Sequence, residues 1–355
     1  MDHVLTSLVR QIYSPVYKRD HRVSIEQWLN TDNIRYYSLG RYALESALRM
    51  LKVGRGDVVA LPEFICRDLI SSVYQVGAKV KFYPVDQHLN LACSLEDFPH
   101  SKVIVAVNYF GFPQDLTVFN DIADKRGAVL IEDNAHGSLS SDSLGIPLGT
   151  RTQIGIFSLR KTFPLPNGAA LVVNDSELAK LLPEQLPASI KGESIGFRFK
   201  KILRALVPIL GIKPCRMLTN LVRMMRKLRT GQPIPLPEIN AEKIIPGNPR
   251  PCKLANEVLS CVDVVAEITR RRELYLYLEK IIPGLGGSLI FDLLPDKTVP
   301  YVFPFRVVND ENIETIKRYL NQNNLDCYLW PDLPDNIVQN TNSYYRNVWM
   351  IPFLW

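Results

Sequence analysis

Two short apolar runs, each followed by charged residues, constrain the fold of this chain most strongly. The first run, 129–131, is followed by an acidic pair that includes Asp133, and the second, 154–159, is followed by a basic pair that ends at Lys161. In an open α/β sheet such runs form buried strands, and ligands bind at the carboxyl ends of those strands. We therefore expect Asp133 and Lys161 to face one site at the edge of a sheet.

Further β-rich runs alternate with helical segments along the first half of the chain. The β-rich runs are 58–61, 79–85 and 103–107, and the helical segments between them are 69–76 and 116–126. This alternation predicts βαβ units and a mainly parallel sheet. The tail from residue 299 onward has strand, helix and strand patterns in succession, which predicts a smaller α+β lobe.

A lysine amine that faces a buried carboxylate meets the needs of one cofactor, pyridoxal phosphate (PLP). This cofactor requires an amine for its aldehyde and an acid that keeps its ring nitrogen protonated, because the protonated ring is the electron sink for a carbanion. Lys161 would supply the amine and Asp133 the acid. An isolated lysine at a strand end is ordinarily solvated, but the turn that follows, 162–168, favours the cofactor interpretation.

This stretch resembles the DegT/DnrJ/EryC1/StrS aminotransferases, fold-type-I PLP enzymes that mostly aminate keto groups of nucleotide-linked sugars. In that family a strand ends E-D-x-A-H/Q, and F-S-x…K follows before a Gly-rich turn. The matching residues of this chain are Glu132, Asp133, Ala135, His136, Phe157, Ser158, Lys161 and Gly168. The resemblance spans 36–180. It implies an α/β large domain with a mainly parallel seven-stranded sheet between helices, and a small C-terminal α+β domain.

The resemblance divides the chain into four predicted segments. They are a lead-in segment at 1–35, a large PLP-binding domain at 36–186, a basic helical insert with a Pro-rich linker at 187–245, and a small α+β domain at 246–355. A length of 355 residues agrees with one large domain and one smaller domain.

The resemblance also implies three catalytic residues. Lys161 carries the cofactor and shuttles a proton during amino transfer, Asp133 keeps the ring cationic, and His136 steadies that carboxylate or the ring oxygen. A lone histidine is more often a packed or surface residue, so the prediction for His136 depends on the resemblance. Lys161 follows Phe157 by four residues, whereas commoner family members have a spacing of six.

Other cofactor contacts are predicted at chain turns. Gly40 and Arg41 precede a helical pattern, and a helix N-terminus offers N–H donors to a phosphate. Ser158 matches a family serine that hydrogen-bonds the same phosphate.

Three further positions complete the predicted cofactor site. Cys66 stands where the family often has an aromatic residue against the ring. Asn108 either reaches the ring oxygen or the substrate, or it simply begins a turn. Asn167 belongs to the turn that follows the lysine.

The segment 191–230 concentrates positive charge. It carries eleven Lys and Arg residues against one acid, while the whole chain has a net charge of +6. Its apolar residues recur at helical spacing, so it predicts basic amphipathic helices that lie on an anionic membrane or pack on a second copy of the chain. We favour packing in a homodimer over a peripheral membrane contact through 197–229. Nucleic acid is not expected, because no recognition motif accompanies the charge.

Cysteine spacing and the amino terminus bound the location. The six cysteines form no C-x-x-C motif and no Cys/His pair at ligand spacing, which argues for a reducing cytoplasm and against a metal site. No apolar stretch is long enough for a signal peptide or a membrane span.

The predicted function is amino transfer from an amino acid, with glutamate favoured, to a keto-sugar nucleotide in polysaccharide or secondary-metabolite biosynthesis. Three alternatives stay open. Dehydratase relatives replace the lysine with histidine, so Lys161 argues against that reaction. Decarboxylation or aldol cleavage uses the same scaffold, and a non-catalytic member would act as a regulatory or scaffold protein.

Overall fold

A seven-stranded sheet carries the first half of the chain. The computed structural model describes residues 3–13, 24–189, 193–231, 240–255, 257–258, 262–307, 309–338 and 343–355. The strands of the large sheet are β1 (Ile34–Tyr37), β2 (Val58–Pro62), β3 (Lys79–Tyr83), β4 (Val103–Val107), β5 (Val129–Asn134), β6 (Ile154–Phe157) and β7 (Ala169–Val173). Their spatial order is β1-β7-β6-β5-β4-β2-β3. The pairs from β3 across to β6 are parallel, and β7 is antiparallel to β6 and β1, so the prediction of a mainly parallel sheet is confirmed.

The helices that accompany this sheet follow the order of the chain. They are α1 (His3–Tyr13), α2 (Ile25–Leu29), α3 (Gly40–Met50), α4 (Ile70–Gln75), α5 (Thr117–Arg126), α6 (Leu159–Thr162) and α7 (Ser176–Ala179). The sequence pattern predicts a longer helix, over 175–186, than the observed α7. Asp175 caps the observed helix, which ends after one turn because Pro183 cannot continue the hydrogen-bond ladder.

The sheet separates two hydrophobic cores. Successive residues of a strand point to opposite faces. Along β7, Leu171 and Val173 belong to a core shared with α3 and α5, whereas Ala170 and Val172 belong to a second core shared with α2. All five residues of β4 and of β7 are buried, which explains why these strands are continuously apolar rather than alternating.

The second half of the chain forms a smaller antiparallel sheet. Its strands are β8 (Gly287–Leu289), β9 (Val302–Val307), β10 (Tyr328–Leu329) and β11 (Val348–Pro352), in the order β10-β11-β9-β8. The remaining helices are α8 (Ile195–Leu210), α9 (Lys213–Thr230), α10 (Val264–Ile281), α11 (Asp310–Gln322) and α12 (Asp335–Val338). The predicted α+β character of this part is confirmed, and the predicted domain boundaries stay predictions.

Two predicted element boundaries differ from the observed ones, and two predicted segments lie partly outside the described residues. The helical pattern over 254–280 predicts one long helix, but the observed helix begins at Val264, because Asp263 caps it there. The strand expected to reach 159 ends at Phe157, and α6 begins two residues later. The centre of the expected Pro-rich linker, 232–239, lies outside the described residues, as does 14–23 of the lead-in segment.

A buried ionic cluster joins the two sheets next to the short helix α6. The carboxylate of Glu267 on α10 pairs with Arg270 and with Nε of Arg271 at 2.6 Å. Burial opposes the ionisation of Glu267, but the charges of the two arginines lower its pKa to about 2. Arg271 also donates to the main-chain oxygen of Thr162 at 2.8 Å and to that of Tyr301 at 3.0 Å. One fully buried guanidinium therefore holds the end of α6 against the start of β9.

Candidate active site

The carboxyl ends of the parallel strands β4, β5 and β6 meet at one edge of the large sheet, and a cavity of about 180 Å³ opens there. Asp133 lies near the end of β5, Ser158 follows β6, and Lys161 lies on α6 directly afterwards. The cavity brings together seven of the nine predicted site residues: Gly40, Arg41, Cys66, Asp133, His136, Ser158 and Lys161.

His136 and Lys161 are in direct contact at the centre of this cavity. The Nε2 atom of His136 lies 3.0 Å from the Nζ atom of Lys161, and its Nδ1 atom accepts a hydrogen bond from the Phe110 N–H at 3.2 Å. An imidazole that accepts at Nδ1 is neutral and carries its proton on Nε2. That Nε2–H must donate to Lys161, and only a neutral amine has a lone pair to accept it. The hydrogen bonds thus select a deprotonated lysine.

The electrostatics of the cavity agree with this protonation state. Burial lowers the pKa of His136 well below its ordinary value, and a positive charge on Lys161 would lower it further. Burial also lowers the pKa of Lys161, although Cys66 and Asp133 oppose that shift. Lys161 is therefore closer to its amine form at neutral pH than a solvated lysine is.

Asp133 is the acid of the cavity. Its Oδ1 atom accepts the Ala135 N–H at 2.9 Å. Burial raises the pKa of this carboxyl above its ordinary value, while the Ala135 hydrogen bond, and a positive charge on Lys161 when it is protonated, oppose the rise. A cation brought next to Asp133 would favour its ionised form.

Aromatic rings fix the imidazole of His136 in place. Tyr301 stacks on it with ring centres 4.8 Å apart and planes 9° apart, and Phe110 stacks at 5.8 Å and 13°. Trp330 meets it edge to face at 5.3 Å. His136 is 4% exposed, so it acts on the cavity through its Nε2 edge and not through a ring face.

The turn that carries Phe110 is strained. Phe110 has φ of 56°, a left-handed conformation that is unfavourable for a bulky residue. Gly111 follows with φ of 96°, and a Cβ atom added there would lie 2.7 Å from the Val299 main-chain oxygen. Backbone strain of this kind persists where surrounding contacts determine the conformation, and it is common at functional sites. Here it directs the Phe110 N–H at His136.

One end of the cavity is the N-terminus of α3. The residue at its N-cap position, Leu39, has no side chain that can cap the helix, and Gly40 and Arg41 form the first turn. Free N–H groups at such a position attract anions. The Arg41 guanidinium lies 3.4 Å from the Asp68 carboxylate at the same wall. A Cβ atom at Gly40 would make ordinary contacts at 3.9 Å, so sterics do not require glycine there.

Cys66 lines the cavity as a small neutral group. Burial raises the pKa of its thiol to about 11, chiefly by desolvation, so the thiolate is not the form present near neutral pH. Phe64, two residues earlier, is fully buried, and its ring centre lies 5.6 Å from that of Tyr109. Phe64 is therefore a core residue.

Asn108 does not line the cavity. It is fully buried, its side-chain N–H donates to Glu132 at 2.7 Å, and its Oδ1 accepts from the Gln114 N–H at 3.0 Å and from Arg151 at 2.9 Å. Its amide is committed to a polar network behind the strand ends. Asn108 also begins the turn at Tyr109–Gly111, which agrees with its alternative role as a turn residue. Its contact with a cofactor or substrate stays a prediction.

Asn167 is also outside the cavity. Its Oδ1 atom accepts the Cys252 N–H at 2.8 Å, and it lines a neighbouring cavity of about 860 Å³ together with Asn248 and Arg250. Leu39 contributes to the walls of both cavities. The turn that holds Asn167 runs away from Lys161, because its side chain fastens the turn to the segment at 248–252.

Two residues of the cavity region escaped the sequence interpretation. Tyr301 and Trp330 come from the neighbourhood of the small sheet and reach His136 only through tertiary packing. Neither residue belongs to a local motif, so no signal in the sequence separates them from other aromatic residues. Among the residues that the structure describes, no group of three or more His, Cys, Asp or Glu side chains could hold a metal ion.

Comparisons with known proteins agree with this geometry. Residues 27–191 match the model of the DegT/DnrJ/EryC1/StrS aminotransferase family. A dTDP-3-amino-3,4,6-trideoxy-alpha-D-glucose transaminase of Micromonospora megalomicea subsp. nigra is 30% identical over 176 residues, which are 45% of this chain and 46% of that protein. The sequence match therefore spans less than half the length of this relative.

Solved structures match over nearly the whole chain. The sugar aminotransferase CalS13 of Micromonospora echinospora superposes with a TM-score of 0.61 at 17% identity, covering 99% of this chain and 92% of that one. The putative sugar aminotransferase Spr1654 of Streptococcus pneumoniae, solved in its PLP form, gives 0.59 at 14% identity, with coverage of 100% and 87%. These likenesses confirm the expected fold-type-I architecture.

The matched segment also contains every residue that lines the cavity except Trp330. Residues 27–191 of this chain are therefore similar to the DegT/DnrJ/EryC1/StrS aminotransferase family.

Proposed function

We propose that this chain is a PLP-dependent aminotransferase that transfers an amino group from an amino acid to the keto group of a nucleotide-linked sugar. The observation that carries the proposal is the 3.0 Å contact between Lys161 Nζ and His136 Nε2, which holds a buried lysine amine beside the buried carboxylate of Asp133. A lysine with a purely structural role ordinarily keeps its amine in solvent, since burial of that charge is unfavourable.

The cavity fits PLP by the chemistry of its donors. Lys161 would bind the aldehyde carbon, Asp133 would face the ring nitrogen, and the first turn of α3 with Ser158 would hold the phosphate. When bound, the cofactor supplies an electron sink for the carbon that loses a proton. The positive ring nitrogen would ionise Asp133 and so offset the cost of burying that carboxylate.

The chain's own residues would move the proton. Burial lowers the pKa of Lys161, which makes its Nζ atom a better proton acceptor than that of a solvated lysine. Nζ would accept a proton from the donor amino acid and return one to the adjacent carbon. His136 holds Nζ by a hydrogen bond from Nε2 and itself stays neutral. Tyr301, Phe110 and Trp330 cover the imidazole and exclude water from that side of the cavity.

The substrate class is supported by the relatives. One relative is named as a transaminase of a dTDP-linked amino sugar, and two structural neighbours are named as sugar aminotransferases. We propose glutamate as the amino donor, a homodimer as the active form, and amino-sugar biosynthesis for polysaccharides or secondary metabolites as the role.

Borohydride labelling tests the cofactor link. The purified chain is incubated with PLP, reduced with borohydride and digested, and the peptides are analysed by mass spectrometry. We expect the label on the peptide that contains Lys161, and none there in Lys161→Ala. Lys125→Ala, which removes an exposed lysine of α5, serves as the matched control and should leave labelling unchanged. Label spread over surface lysines in proportion to their exposure would refute the proposal.

A second assay tests the reaction type. Glutamate is added to the loaded chain with a panel of keto-sugar nucleotides, and 2-oxoglutarate and the amino sugar are measured. Formation of both products supports amino transfer. Carbon dioxide or aldol products would indicate another PLP reaction, and loaded protein without any product would indicate a non-catalytic member.

A further inference from the structure

The helices α8 and α9 pack on the rest of the chain through several cationic side chains and a few apolar ones, such as Val207 and Cys215. The two helices contact each other, and α8 also contacts α1. On α8, Arg204 is buried and donates to the main-chain oxygen of Trp355. On α9, Arg216 and Arg223 pair with Asp326 at 2.9 and 3.0 Å. Cationic side chains thus fasten both helices to the protein.

Trp355 marks the inner side of the helix pair. Its Nε1 donates to Thr219 of α9 at 2.8 Å, while Lys200 of α8 lies over its ring at 4.6 Å from the centre. Since both helices turn these residues to the same indole, their opposite sides share one outer surface. The arrangement differs from an ordinary surface helix, whose whole apolar side faces the core, because only part of the apolar residues of each helix is buried here.

The outer surface is apolar and exposed. On α8 its residues recur as Ile195, Phe199 and Ile202, with exposed fractions of 86%, 50% and 57%. On α9 they recur as Met217, Met224 and Leu228, with exposed fractions of 75%, 55% and 80%. The spacings of three, four and seven residues place each set in one row along its helix. Contiguous exposed apolar rows of this kind mark interaction sites.

Exposed cations border the apolar rows. Arg198, Lys201, Lys213, Lys227 and Arg229 are exposed, and the sequence from 194 to 231 contains no Asp or Glu. This segment alone carries ten Lys and Arg residues, whereas the whole chain has a net charge of +6. Two copies of this surface would bring like charges together, which opposes the self-association favoured from the sequence. Apolar rows with basic margins instead complement an anionic lipid surface, in which apolar side chains enter the headgroup boundary.

We propose that the outer surface of α8 and α9 docks the enzyme on the surface of an anionic lipid bilayer. The helices would lie in the plane of the interface, with Ile195, Phe199, Met217 and Leu228 inserted and the bordering cations near lipid phosphates. Within the described ranges, no helix combines the length and apolar character that crossing a bilayer requires, so the contact is peripheral.

Vesicle flotation of the full chain tests the proposal. Vesicles of phosphatidylcholine alone are compared with vesicles that contain about 30% phosphatidylserine, at low and high salt. We expect binding to the anionic vesicles only, reduced by salt. Lys213→Gln/Lys227→Gln/Arg229→Gln should weaken binding by about fivefold per cation removed. Ile202→Gln/Met224→Gln should also weaken it.

The control uses apolar residues exposed elsewhere. Leu144→Gln/Leu293→Gln removes two side chains that are 81% and 68% exposed, and binding should be unchanged. Thermal unfolding of each variant verifies that it folds. Failure to bind anionic vesicles overturns the proposal, and so does binding that both helix variants leave intact. Light scattering without vesicles tests whether the outer surface binds a second copy of the chain instead. If Ile202→Gln/Met224→Gln halves the molar mass, the surface is a dimer interface and the proposal is overturned.

Discussion

The cavity at the strand ends and the outer surface of α8 and α9 differ in which side chains they expose: the cavity is lined by polar groups, and the outer surface carries apolar rows. In the cavity, His136, Lys161 and Asp133 are turned inward and shielded by aromatic rings. In the helix pair, inward basic residues such as Arg204 anchor the helices, and rows of apolar residues face outward. The difference shows that a buried basic side chain can have different roles: Lys161 lines a cavity, whereas Arg204 fastens a helix to the protein.

Removal of the cavity amine should give the largest effect. Under the proposed function, Lys161→Ala should lower aminotransferase activity by about a thousandfold or more, because the group proposed to bind the cofactor and to move the proton is lost. The free energy of unfolding should change by less than about 1 kcal/mol, since a desolvated amine contributes little stability. Steady-state kinetics and urea unfolding measure the two quantities. A large loss of stability with retained activity would make Lys161 a structural residue.

Removal of the buried anchor beside α6 should give the next largest effect. Arg271→Met removes one of the two arginines that pair with Glu267 and leaves three main-chain oxygens without this donor. We expect a loss of about 3–5 kcal/mol of unfolding free energy. The half-buried anchor of α9 is the matched comparison, and Arg223→Met should cost about 1 kcal/mol. Urea unfolding measures both. Equal losses would contradict the ranking of the two anchors by burial.

The pH dependence of stability tests the neutral imidazole. Because the folded-state pKa of His136 lies well below its ordinary value, the unfolded chain binds a proton that the folded chain does not. Stability from this group is complete above pH about 6.5 and should fall below it by up to about 1.4 kcal/mol per pH unit. In His136→Gln this slope should disappear, as measured by urea unfolding of the cofactor-free chain from neutral to mildly acidic pH. Identical slopes in the two proteins would show that His136 is protonated in the fold.

The smallest effect is expected on the outer surface. Ile209→Ser, at a position that is 79% exposed, should change the unfolding free energy by no more than about 0.5 kcal/mol. Val207→Ala removes two methyl groups from the anchored side of the same helix and should cost about 1 kcal/mol or more. A larger loss for Ile209→Ser than for Val207→Ala would mean that the outer surface is covered in the free chain.

The sequence predicts the strand ends well because burial of parallel strands leaves a clear apolar pattern. Asp133 and Lys161 each follow such a run, and this position predicts that they face the same site. Asn108 follows a third run, yet its amide is used by Glu132 and Arg151, and strand position alone carries no information about such a network. Tyr301 and Trp330 arrive from distant parts of the chain, beyond the reach of local patterns.

The helix pair shows a different limit of sequence reasoning. Periodicity predicts that 195–230 forms amphipathic helices, and α8 and α9 confirm this. It does not predict which side faces the protein, because that choice depends on partners such as Trp355 and Asp326. The ordinary rule that the apolar side faces inward holds here for residues such as Val207 and Cys215, but not for the exposed rows.

The strained turn at Phe110 has a consequence for the robustness of the site. The group that holds Nδ1 of His136 is a peptide N–H, which has no ionisation of its own across the pH range of living cells. Enzymes that orient an imidazole with a carboxylate can lose that orientation when the carboxylate takes up a proton. Here acidification leaves the orienting Phe110 N–H unaltered. The amine form of Lys161 therefore depends on the protonation of only two side chains, Lys161 itself and His136.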